Sequence, residues 1–332
     1  LAGVTDLFGV KADYDLDLMR SRQTLADIFC GVLRGMEGVL RRSRPDVVLV
    51  HGDTSTSCAA ALAAFYAQIP VGHVEAGLRS YRRYFPFPEE MNRRLTADLA
   101  DFHFAPTARS AQNLRAEGIA EHIYVTGNTA LDALRTTVRP GYVFSERALR
   151  DPALFSGRTV LLTAHRRENI PEGIASICRA VKRLCAAYDD LHVIFPVHPN
   201  PAVREIVWPL LEDVSGVMLT EPLGTFDMHN LLARCTLVLT DSGGLQEEGP
   251  ALGVPVLVLR GETERPEAVE AGGVRLAGTE ESGIFRAAAR LLDSEDERRR
   301  MAGAPSPYGD GHASEKIADI LVAQLGAGEA AG

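Results

Sequence analysis

The sequence predicts an α/β protein built from two doubly wound, mostly parallel sheets, and three observations carry that reading. Short apolar runs such as Val47 to Val50, Val71 to Val74, Leu237 to Thr240 and Val256 to Leu259 alternate with stretches of helical period, as strands buried on both faces do. At 332 residues the chain is too long for one small core and suits two domains. Several runs end in polar or glycine residues, namely His51-Gly52-Asp53, Glu75-Ala76-Gly77 and Asp241-Ser242-Gly243-Gly244. These mark the carboxyl edge of a sheet, where open α/β folds bind ligands.

Taken in order, Tyr14, Leu16 and Leu18 alternate as one face of a strand. The aspartates between them then face solvent rather than a metal. From Thr24, a capping residue, Leu25, Ile28, Phe29, Val32, Met36, Val39 and Leu40 keep helical spacing. Strands follow at 47–50 and 71–74, with a helix from Ser55 to about Gln68 between them. The aromatic and arginine-rich loop Tyr81 to Pro88 leads into a helix at Glu89, and βα units at 102–105 and 123–126 follow. Pro140, Gly141 and Pro152 break the pattern, which places the domain boundary near residue 145. Strands at 160–163, 193–195, 217–219, 237–240, 256–259 and 274–276 build the second domain, to about residue 308. A last helix spans about 313–325.

Hydrophobic residues make up 46% and charged residues 24%, with a net charge of -9, which argues against a nucleic-acid surface. No apolar run reaches membrane-spanning length and no signal pattern opens the chain. A cytoplasmic enzyme is the expected class. Five cysteines without a Cys-x-x-Cys pair are expected to be reduced core residues.

The residues with chemistry to offer sit at the strand ends. The Ser242-Gly243-Gly244 turn opens a helix, so its backbone N–H groups suit a phosphate. Glu248 in the early turns of that helix is placed to accept from two neighbouring hydroxyls such as those of a ribose, which suggests a nucleotide. Asp53 either caps the next helix or serves function. Glu75 follows a buried strand and needs a partner or a role. Glu89 is a first-turn acid, and His165 ends the first strand of the second domain. Gly-x-Gly-x-x-Gly, P-loop and His-Glu-x-x-His patterns are absent, which disfavours dinucleotide redox, P-loop and zincin chemistry.

Set side by side, these segments resemble the non-hydrolysing UDP-N-acetylglucosamine 2-epimerases over nearly the whole chain. The markers are His-Gly-Asp-Thr at 51–54, His-Val-Glu-Ala-Gly-Leu-Arg at 73–79, Pro-Glu-Glu-Met-Asn-Arg at 88–93 and Gly-Asn-Thr at 127–129. Others are His-Arg-Arg-Glu-Asn at 165–169, Pro-Val-His-Pro-Asn-Pro at 196–201, Asp-Ser-Gly-Gly-Leu-Gln-Glu-Glu at 241–248 and Thr-Glu-Arg-Pro-Glu at 263–267. Ala164 and Gly272-Gly273 depart from the usual Gly and Gly-Thr.

The resemblance implies a GT-B-like fold, two Rossmann-type domains facing across a cleft (1–145 and 146–308), with 309–332 crossing back to the first. It implies interconversion of UDP-N-acetylglucosamine and UDP-N-acetylmannosamine through 2-acetamidoglucal, with no cofactor or metal, in a homodimer. It assigns catalysis to Asp53, Glu75, Glu89 and His165, and UDP to Ser242, Gly243, Gly244, Glu248 and Arg265. Arg93 supports the sugar side, and Arg22 and Gln23 match a second, regulatory UDP-N-acetylglucosamine site. The family's opening strand and Gly-Thr-Arg-Pro-Glu loop have no counterpart here. From this the chain is expected to be an inactive fragment, with 47–50 paired on one side only and 14–18 isolated or displaced. A hydrolysing relative, an epimerase of a related UDP-2-acetamido sugar, a GT-B glycosyltransferase and a nucleotide-sugar sensor are the competing readings.

Overall fold

The computed structural model describes residues 5, 8–20, 22–166, 169–263 and 265–329. By their contacts they form two units, one of residues 1–127 with 314–332 and one of 128–313.

The first unit contains helix α1 (Leu25–Ser43), β1 (Val48–His51), α2 (Ser55–Tyr66), β2 (Val71–Val74), α3 (Glu89–Leu99), β3 (Phe102–Ala105), α4 (Ala108–Ala116) and β4 (Ile123–Val125). Thr24 starts α1 with a reciprocal cap: its hydroxyl accepts from Asp27 N at 3.1 Å, and Asp27 Oδ2 accepts from Thr24 N at 2.9 Å. The four strands are parallel in the order β1-β2-β3-β4. The central strands β2 and β3 are buried on both faces. As expected from sequence, β1 pairs on one side only among the described residues, and Leu49 on it is 49% exposed.

The alternating segment 14–18 forms no strand. It runs along α1, with Leu18 against Gly31, Leu16 against Gly35 and the Tyr14 ring under Arg42. One-sided burial on a helix produces the same period of two as a half-buried sheet strand.

The second unit opens with α5 (Thr129–Thr137). It continues through β5 (Arg158–Thr163), α6 (Glu172–Ala187), β6 (Leu191–Pro196), α7 (Pro201–Leu211), β7 (Val217–Thr220), α8 (Thr225–Leu232), β8 (Leu237–Thr240), α9 (Leu245–Ala251), β9 (Val256–Val258), α10 (Pro266–Ala271), β10 (Val274–Leu276), α11 (Glu281–Asp293) and α12 (Glu295–Ala302). Its six strands are parallel in the order β10-β9-β8-β5-β6-β7. The order reverses between β5 and β8. There the connections leave in opposite directions and open a crevice at the carboxyl ends.

Alternate residues feed the two faces of this sheet. Leu162 and Leu239 enter one core with α6, α7 and α11, while Leu161 and Val238 enter the other with α5 and α8. The boundary falls at residues 127–128 rather than near 145, because Leu131, Leu134 and Phe144 already belong to that second core. The last helix, α13 (Ala313–Glu329), sends Ile317 and Leu321 into a cluster with Val74, Phe102 and Phe104, so its residues from Ser314 belong to the first unit.

All five cysteines are free, but Cys30 is exposed on α1 and not a core residue as expected. Its helical face turns to solvent. Among the described residues no helix is long and apolar enough to cross a membrane.

Candidate active site

In the first unit the candidate side chains gather where β1 and β2 end. His73, fully buried on β2, donates from Nε2 to the Gly52 carbonyl at 2.8 Å. Burial pulls its pKa down to about 4, so the ring is a neutral strut under the turn that carries Asp53. Thr54, not Asp53, caps α2: its hydroxyl accepts from Ser57 N at 3.1 Å. Asp53 is thereby left to Arg93, whose Nη2 lies 2.6 Å from its Oδ2. Asn92 Nδ2 donates to the Asp53 carbonyl at 2.8 Å.

Glu75 takes a left-handed backbone, φ +64°, uncommon for a residue with a side chain. Strain of this kind concentrates at functional sites. Its Oε2 lies 3.8 Å from His51 Nε2, so β1 and β2 deliver their polar ends together. Glu89 opens α3 and has a buried Oε2 without a hydrogen bond among the described residues.

Sequence reasoning missed Glu90, which is 1% exposed and accepts from Ser80 N at 2.9 Å and Tyr81 N at 3.0 Å. Burial raises its pKa, but these amide bonds and the Arg93 charge outweigh it and hold the net value below the usual carboxylate range. Glu90 thus anchors the loop that exposes Tyr84 and Phe87.

In the second unit a cavity of about 350 Å³ opens at the reversal point. His165, His198, His229, Ser242, Gly244 and Glu248 line it, with Leu223, Met228 and Leu245 as apolar wall. The size and mixture suit a small organic ligand. Thr163 and Thr240, ending β5 and β8, share a 2.6 Å hydrogen bond, and Thr240 Oγ1 accepts from Ser242 N at 2.9 Å, which sets the Gly-Gly turn. Pro250 lies in the last turn of α9, where the helix is already ending.

Glu248 reaches the cavity from α9 as expected. Burial and the neighbouring Glu247 charge push its pKa up to about 7. His229 Nε2 lies 3.8 Å from Glu248 Oε2, and His229 Nδ1 hydrogen-bonds Thr137 Oγ1 at 2.7 Å. Arg265 does not line this cavity. Its guanidinium packs over Gly243, where an added Cβ would come 2.7 Å from Nη1, and pairs with buried Glu247. Glu247 in turn accepts from Asn128 Nδ2. Arg265 therefore packs against the turn that carries Gly243.

Sequence reasoning also passed over Asp241 and His198. Asp241 is fully buried at the end of β8, and its Oδ2 accepts from His165 N and Arg166 N, both at 2.9 Å. The His198 ring stacks on His165 at 5.3 Å. Gln23 spends both ends of its amide on its own loop, accepting from Arg20 N and donating to the Leu18 carbonyl, each at 2.7 Å, while Arg22 is exposed.

The sequence model described as UDP-N-acetylglucosamine 2-epimerase matches residues 2–322. The chain belongs to that family. It is 50% identical over 324 residues to the UDP-N-acetylglucosamine 2-epimerase of Bacillus subtilis, covering 97% of this chain and 84% of the relative. Among solved structures, S. aureus MnaA with UDP superposes with a TM-score of 0.90 at 45% identity, over 98% of this chain and 87% of that one. The UDP-GlcNAc 2-epimerase of Neisseria meningitidis bound to UDP-GlcNAc gives 0.86 at 43% identity, over 97% and 88%. The fold is the GT-B-like fold of these epimerases, with two parallel-sheet Rossmann-type units, and the enzymes of the family are isomerases.

Proposed function

We propose that this chain interconverts UDP-N-acetylglucosamine and UDP-N-acetylmannosamine at C2 without hydrolysis. Membership of the epimerase family over nearly the whole chain carries the reading. The acid cluster at the end of the first sheet supports it.

Carbon 2 bears an acetamido group and no adjacent carbonyl, so its proton is only weakly acidic. The C1–O bond must break before or as that proton leaves. UDP departs with the electron pair of the C1–O bond, the C2 proton passes to a carboxylate, and the C1–C2 double bond of 2-acetamidoglucal forms. Re-addition of UDP with protonation of the opposite face completes the exchange. We assign the base to Glu75, with Asp53 and Glu89 as the remaining acids and Arg93 holding Asp53 in place. UDP belongs to the second unit: its diphosphate to Ser242, Gly243 and Gly244 at the start of α9, its ribose to Glu248. His165 serves the diphosphate and the return of the proton. Arg265, packed against Gly243 and paired with Glu247, belongs with this turn to the UDP site. A cytoplasmic homodimer with a second UDP-N-acetylglucosamine at Arg22 and Gln23 belongs to the same reading.

Incubating the protein with UDP-N-acetylglucosamine alone in heavy water tests it. The expected result is deuterium at C2 in both nucleotide sugars. Accumulation of free N-acetylmannosamine with UDP would assign the hydrolysing reaction instead, and UDP binding without exchange would make the protein a sensor.

A further inference from the structure

Asp241 holds more than a turn. Besides the two backbone amides, its Oδ2 accepts from Asn169 Nδ2 at 3.0 Å, so three donors fix the plane of the carboxylate. Its Oδ1 is equally buried and takes no hydrogen bond of good geometry among the described residues, yet it stands 3.3 Å from His165 Nδ1. A buried acceptor left unpaired is costly, and a small turn of the imidazole removes that cost. Stacking on His198, with 14° between the planes, holds the plane of the ring, and Nδ1 is the nitrogen beside Asp241.

We propose that Asp241 is a positioning residue that holds His165 in its Nδ1–H form, leaving Nε2 on the far edge of the ring as the nitrogen that takes and returns a proton. The role of His165 in turnover rests on the function proposed above. The groups facing it are Asp241, His198 and Arg166. Burial, His198 and Arg166 together outweigh Asp241 and hold its pKa below the ordinary histidine value. The ring is therefore neutral at pH 7, and which nitrogen carries the proton decides what it can do.

The test is the tautomer. In 15N-histidine-labelled protein, the His165 signals are identified by their loss in His165→Asn, and long-range 1H–15N correlations report which ring nitrogen is protonated. The expected wild-type pattern is a protonated Nδ1 and an unprotonated Nε2. In Asp241→Asn the amide oxygen must stay with its three donors, which turns the NH2 towards Nδ1 and drives the proton to Nε2. That variant is expected to lose ~10²- to 10⁴-fold in kcat, the loss expected of a reversed tautomer. A wild-type ring protonated on Nε2, or a variant with unchanged tautomer or unchanged kcat, would overturn the proposal. Should Asp241→Asn fail to fold, the wild-type spectrum alone decides. The tautomer is read without turnover, so an Nδ1–H ring in a protein that does not epimerise would sink the function proposed above and leave the positioning of His165 standing.

Discussion

Arg93 Nη2 lies 2.6 Å from Asp53 Oδ2, and the Nη1 of the same guanidinium lies 3.3 Å from Glu90 Oε2. One side chain on α3 therefore joins the end of β1 to the buried acid that anchors the loop at Ser80 and Tyr81. Arg93→Met would keep the length and remove the charge, leaving Glu90 buried beside no cation of this pair. Breaking a buried pair by deleting one partner costs about 3–5 kcal/mol. Urea unfolding of Arg93→Met is expected to show a loss near about 3 kcal/mol, since Asp53 is partly solvated, together with lower kcat. A midpoint equal to wild type would show that Asp53 and Glu90 are held by other means.

Glu75→Gln preserves shape and removes the charge. Turnover is expected to fall at least ~10²-fold, the usual scale for a general base, with calorimetric UDP affinity nearly unchanged. The left-handed backbone of Glu75 is also predicted to accept glycine, so Glu75→Gly should fold normally while remaining as slow as the Gln variant. Wild-type turnover in either variant would remove Glu75 from the role of base.

Strands with continuous burial were the most legible elements: β2, β3 and β8 lie where their apolar runs placed them. The cap Thr24 was equally readable, because a hydroxyl before an amphipathic run states its own purpose. Segment 14–18 was not, since alternation reports one buried face and is silent on whether a strand or a helix covers it. Glu90 needed its tertiary partners: nothing local says that it will accept the Ser80 and Tyr81 amides. Asp241 did carry a local signal, an acid directly after a buried strand, which is the same signal that singled out Glu75. The Ser-Gly-Gly turn beside it drew the reading away from it.

Among the described residues no group of His, Cys, Asp or Glu is arranged to hold a metal ion. In the first unit Asp53 pairs with Arg93, Glu75 lies beside His51, and Glu90 takes Arg93 and the Ser80 amide. Turnover is expected to be unchanged after exhaustive treatment with EDTA and to need no added divalent ion. A loss restored by one particular metal would place an ion in the mechanism and reverse the proposed division of labour.

The Glu248 carboxyl, pushed up to about 7 by burial and by Glu247, makes a prediction with two signs to check. For the unliganded protein, a raised acid means that the folded chain keeps a proton which the unfolded chain has already released. Its contribution to stability is present below the ordinary carboxylate pKa and is lost as pH rises through about 7. For ligand binding the sign is opposite: two ribose hydroxyls donate best to the ionised form, so affinity should rise as pH rises through about 7, by about tenfold between pH 6 and 8 for one such group. His229, 3.8 Å away, is itself held below the ordinary histidine value by burial, which favours its neutral form. The terminal phosphate of the ligand does titrate near pH ~6, which is why the informative quantity is the difference between wild type and Glu248→Gln. That difference should follow a single ionisation near pH 7. Proton release on UDP binding, read by calorimetry in buffers of different ionisation enthalpy, should be smaller in the variant. Glu248→Ala should weaken UDP by about 1.5–3 kcal/mol at pH 8, the range for hydrogen bonds to a charged group, and by less at pH 6, where the wild-type group is mostly protonated. Identical pH curves for wild type and Glu248→Gln would assign the whole dependence to the ligand and take Glu248 out of the ribose site.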